Sequence, residues 1–99
     1  MELNLNNEDR SLIRMSLLTR KDRCRDMVGI YETEVAELDK LLDENIRLLN
    51  DHSQILTPEQ KSILEEQVDN WVPVRDSRQN MVNHYKAEDR QLDEILGRL

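Results

Sequence analysis

The chain has 99 residues, 37% hydrophobic, 3% aromatic and 35% charged, with two Gly, two Pro, no Phe and a net charge of −7. That length fits one domain, and so few turn formers among Leu, Glu, Asp, Arg and Gln mark long helices or coiled coil. The negative charge disfavours nucleic acid as the main partner, and no apolar run approaches the ~18 residues of a membrane span. The start "MELNLNNEDR" is polar and acidic, unlike a targeting peptide, and the single Cys24 has no internal disulfide partner. The expected setting is reduced, soluble and cytoplasmic.

Helix one is expected over about residues 8–50, starting after Asn6 or Asn7 with Glu8 and Asp9 in its first turn. Its weak stretch is "TRKDRCRD", Thr19 to Asp26, where Cys24 is the only apolar residue and a break or fraying near 19–26 is expected. The basic cluster Arg20, Lys21, Arg23 and Arg25 reads as a solvated face or an anion contact; it lacks the aromatics of a single-strand binder. Arg23 and Arg25 beside Cys24 would lower a thiol pKa, although a half-buried structural thiol is the stronger reading. Further along, Cys24, Val28, Tyr31, Val35, Leu38, Leu42, Asn45 and Leu49 recur at alternating spacings of four and three. That is a heptad seam. Asn45 is the candidate register residue within it.

Residues 50–57, "NDHSQILT", form the one good turn. Helix two is expected over about 58–97: Thr57 caps, Pro58 suits the first position, Gln60 can reach back, and Gly97 marks a stop. Its seam reads Leu64, Val68, Trp71, Arg75, Arg78, Val82, Tyr85, Asp89, Leu92, Leu96 and Leu99. Folding the helices antiparallel about Ser53 pairs Leu42 with Leu64, Leu38 with Val68, Val35 with Trp71, and Cys24 with Val82. Lys21 and Asp89 then lie within reach of a diagonal salt bridge. Pro73 cannot donate to the Asp69 carbonyl. It either kinks helix two or ends it after Trp71; with Gly29 at the same level across the hairpin, it suggests a bend built into both helices.

The fold class that follows is all-α: an antiparallel hairpin of two long helices, coiled-coil-like, in a single domain spanning 1–99. A second apolar stripe, Ile30, Leu41, Ile46, Leu48, Ile63, Val72, Val74, Met81 and Ile95, would stay wet on a lone hairpin. A homodimer forming an elongated four-helix bundle would cover it, as would the helices of another protein.

Charge is uneven. Between Glu32 and Asp69 eleven acids face Lys40, Arg47 and Lys61, whereas the remainder holds ten acids and eleven bases. The turn end of the hairpin is therefore acidic, and a basic partner could dock there. Arg75 and Arg78 break the seam opposite Tyr31 and Val28. Either Glu32, Glu34 or Asp76 neutralises them, or Arg75, Arg78 and Glu32 form a site for an anionic ligand or a partner carboxylate.

Catalytic signals are poor. His52 and His84 have no metalloprotease spacing, and the chain holds neither a glycine-rich phosphate loop nor C-x-x-C. His84 and Glu88 with Asp22 and Asp26 would make only a weak metal site. No enzyme activity, cofactor or metal is expected.

The stretch "LTPEQKSILEEQVDNW" followed by "VRDSR", within a run from Leu38 to Tyr85 covering about half the chain, resembles the hairpins of chemoreceptor four-helix-bundle sensor domains. That resemblance implies a dimeric bundle sensing a small ligand, with Arg75 or Arg78 in contact. The residues themselves favour a non-enzymatic protein–protein interaction module, an adaptor, inhibitor or assembly factor. A bundle sensing a small anionic ligand at Arg75 and Arg78 is the alternative.

Overall fold

Helix ends are set by side chains that serve the unpaired backbone groups of the first turn. In the computed structural model, which describes residues 6–99, Asn6 caps α1 (Asn7–Asp51) by accepting a 2.7 Å bond from the Asp9 amide. The first five residues of the polar start lie outside the described residues. Thr57 and Gln60 form a reciprocal capping box on α2 (Pro58–Arg98), with bonds of 3.1 and 2.9 Å. Between the helices, the His52 amide closes α1 on the Leu48 carbonyl, and the Ile55 amide bonds the His52 carbonyl. The helices are 45 and 41 residues long and pack as one antiparallel hairpin of 72 × 21 × 16 Å.

All eight expected seam residues of α1, and all eleven of α2, are buried or half-buried. Cys24, Val35, Leu42, Val82 and Leu92 are the most enclosed apolar side chains. A core this narrow leaves the radius of gyration at 21.9 Å, against about 13 Å for a compact 100-residue domain.

The seam is right in membership but displaced in pairing. Arg75 bonds Asp39, and Arg78 lies over Tyr31 and beside Glu34. The Asn45 amide reaches the Leu64 carbonyl, and Cys24 lies against Glu88 and Asp89. Relative to Leu42 with Leu64 and Cys24 with Val82, α2 is slid by about seven residues, one heptad. A slide of that length preserves every seam position. It also corrects the level shared by Gly29 and Pro73: Tyr31 stacks on Tyr85, whereas Arg75 is beside Asp39, so the glycine and the proline are well apart along the hairpin.

Neither helix breaks. Pro73 lies inside α2 without ending it; Pro73 and Asp69 are both exposed, so water can serve the carbonyl that loses its donor. α1 is continuous through Thr19–Asp26, where ion pairs to α2 replace missing apolar packing. α2 passes through Gly97 to Arg98, and no described residue has positive φ, so Gly97 is not a left-handed stop.

Candidate interaction surfaces

Two rows of side chains flank the seam, and they differ in chemistry. On α1 the residues just after seam positions are Arg25, Glu32, Asp39 and Ile46; on α2 they are Glu65, Val72, Gln79, Lys86 and Asp93. This flank is largely ionic: Glu32 pairs with Lys86 at 2.9 Å, Asp39 with Arg75 at 2.8 Å, and Asp93 with Lys21. Ile46 and Val72 sit on it, away from most of the apolar stripe.

The residues just before seam positions are Met27, Glu34, Leu41 and Leu48 on α1, and Gln67, Val74, Met81, Glu88 and Ile95 on α2. Here apolar side chains dominate. The polar members are already engaged: Glu34 pairs with Arg78, Glu88 with Arg20, and Gln67 accepts from Asn45. Leu41, Leu48, Val74 and Ile95 are exposed, and Ile30 and Ile63 extend the row outward at 53% and 56% exposure. Met81 is half-buried.

Seven of the nine expected stripe residues therefore share one flank, and Ile46 and Val72 form a separate pair. The chain exposes 7735 Å², against about 5,900 Å² for a compact monomer of this mass. The excess, about 1,800 Å², is surface that an elongated two-helix hairpin keeps exposed, and it exceeds the ≈ 800 Å² each partner buries in a standard interface.

The two seam arginines are internally neutralised. Asp39 accepts from the Arg75 Nε at 2.8 Å and holds that guanidinium still more firmly protonated, with Asp76 adding to it. Arg78 Nε lies 2.7 Å from a Glu34 carboxylate oxygen, and its guanidinium sits 5.8 Å from the Tyr31 ring centroid, a cation–π distance. Glu32 joins neither arginine; its partner is Lys86.

Lys21 makes the salt bridge to Asp89 that the seam spacing suggests, but in a buried setting the sequence did not reveal. It is 6% exposed, inserted between the helices with Asp89 at 3.7 Å and Asp93 also in contact. Arg20 and Arg25 pair with Glu88 and Asp89. The basic cluster of α1 thus meets acids near the end of α2, and the bases of α2 meet acids in the middle of α1. This complementarity could have been found in the sequence by aligning charges as well as apolar residues.

Cys24 is 3% exposed, and its thiol pKa is raised, first by burial and then by Glu88 and Asp89. Cys24 is therefore more deeply buried than the half-buried structural thiol that the sequence favours, and the base that lowers its pKa is Arg20, against Glu88 and Asp89. Asn45 is buried and donates to Gln67 Oε1 at 2.9 Å.

The acids nearest the turn, Asp43, Glu44, Asp51, Glu59, Glu65, Glu66 and Asp69, are all exposed, with only Arg47 and Lys61 among them. No helix of the described residues is long and apolar enough to cross a membrane. No family model matches the chain, and no curated protein or solved structure matches it at a significant level. The likeness to chemoreceptor sensor hairpins rests on the quoted residues alone.

Proposed function

We propose that this protein is a non-enzymatic interaction module: a helical hairpin that pairs with a second copy into a four-helix bundle and presents its acidic turn end to another protein. The observation that carries this reading is the mainly apolar flank through Leu41, Val74 and Ile95, crossed by the Glu34 and Glu88 ion pairs and left open on a chain whose own seam is already filled. Solvent-exposed apolar area of this extent is what association removes. The exposed acids around the turn support a basic docking partner.

The ligand-sensing alternative has less support, because Asp39 and Glu34 already occupy the charges an anion would need. Displacing them would expose two carboxylates to the incoming anion.

Light scattering on a sizing column, at two concentrations about a hundredfold apart, tests the reading by mass action. The expected result is a mass of two chains at the higher concentration. A single-chain mass at both would overturn the homodimer. An elevated melting temperature in small anions, lost in Arg75→Glu, would favour the sensor instead.

A further inference from the structure

The dimer just proposed has two symmetric arrangements, and charge along one outer row separates them. Beside the apolar flank, α1 carries Arg23, Ile30, Glu37 and Glu44 in order from the open end toward the turn, at seven-residue intervals, all exposed. The corresponding row of α2, through Asn70, Ser77 and His84, has no carboxylate. If two hairpins stack with their turns together, each α1 row lies over an α2 row, and Arg23 finds no acid. That arrangement also crowds two sets of turn-end acids against each other. Turned end over end, α1 lies antiparallel on its own copy. In the register that sets Arg23 of each chain level with Glu44 of the other, Ile63 of one chain falls near Ile95 of its partner.

We infer that the second copy docks on the apolar flank end over end, with Glu44 near the turn of one hairpin beside Arg23 of its partner, Arg20, Lys21 and Arg25 being already paired within their own hairpin. This inference rests on the proposed dimer. The area is large enough for a second copy as occupant, since the open hairpin's excess of about 1,800 Å² exceeds the ≈ 800 Å² that each chain of a standard-size dimer buries. Charge complementarity selects the orientation, because like charges brought together at an interface oppose the wrong pairing. The charged flank, already closed by its own ion pairs, is left facing solvent.

The test is a distance. A spin label at Gln54→Cys in a Cys24→Ala background sits at the turn of each hairpin, and helix content by circular dichroism checks that the background folds. End-over-end packing puts the two labels at opposite ends of the bundle, a separation set by the 72 Å hairpin length. Turns packed together would bring them within about 25 Å, a few helix diameters.

A dimer with the short distance overturns the orientation and leaves the dimer standing, whereas a single-chain mass overturns both. Charge reversal gives a second readout. Arg23→Glu is expected to raise the dimer dissociation constant several-fold, and adding Glu44→Arg is expected to restore it. Both positions are exposed and outside the seam, so the hairpin itself should survive. Failure of the double variant to recover would also refute the end-over-end contact.

Discussion

Asn45 allows a prediction in which two substitutions at one position move stability in opposite directions. The residue is 8% exposed and makes one good cross-helix bond, 2.9 Å to Gln67, with a long 3.5 Å contact to the Leu64 carbonyl. Replacing it by leucine forfeits that bond, worth about 1 kcal/mol net. Gln67 is only half-buried and can turn to water, so no polar group is stranded. Against this, burying a leucine side chain contributes about 1.5–3 kcal/mol. The net gain expected for Asn45→Leu is about 1 kcal/mol, or a melting temperature higher by about 4–8 °C.

Asn45→Ala loses the bond and leaves a gap, so it should melt lower than the native chain by a similar amount. Thermal denaturation followed at 222 nm, at one fixed protein concentration, reads both. A leucine variant that melts below the native protein would refute the reasoning, because the Gln67 contact would then outweigh apolar packing at that level. In that case Asn45 would be a stabilising contact and not a specificity device purchased with stability.

Pro73→Ala restores an amide donor for the Asp69 carbonyl at an exposed site. It should stabilise the hairpin by about 1–3 kcal/mol, since proline inside a helix costs about 3 kcal/mol relative to alanine; a lower melting temperature would mean that native packing uses the proline's local geometry. Cys24 should react with a thiol reagent only as fast as the hairpin opens, and quickly in denaturant. Because the fold raises this thiol's pKa, its contribution is fully present below the unfolded thiol's pKa. It is lost as pH rises through the folded value, so stability should decline on the alkaline side. Rapid modification of the native protein near neutral pH would contradict the buried setting.

Much of the molecule is written in local and periodic signals. Thr57, Pro58 and Gln60 specify the start of α2 through bonds between neighbours in sequence, and the cap at Asn6 does the same for α1. The alternation of four and three specifies which residues enter the seam, because helix geometry alone places them on one face. Even Arg75, Arg78 and Asp89, polar in a seam, are half-buried where the spacing puts them. Two local points have a simple reason: of the two outcomes open at Pro73 the helix does not end there, because water can serve the exposed backbone, and α2 runs one residue past Gly97 in ordinary helical conformation.

What periodicity could not decide is how far one seam is slid along the other. A pattern that repeats every seven residues is satisfied equally by any slide of seven, so apolar spacing leaves the register degenerate. The tertiary structure breaks that degeneracy with charge, through Lys21 against Asp89 and Asp93, Arg75 against Asp39, Arg78 against Glu34 and Lys86 against Glu32. It also divides the second apolar stripe, setting Ile46 and Val72 on the ionic flank and leaving Leu41, Val74 and Ile95 on the open one. Helix identity and seam membership follow from each segment's own sequence. Register, and with it the apolar surface left exposed, depends on which distant residues the hairpin brings side by side.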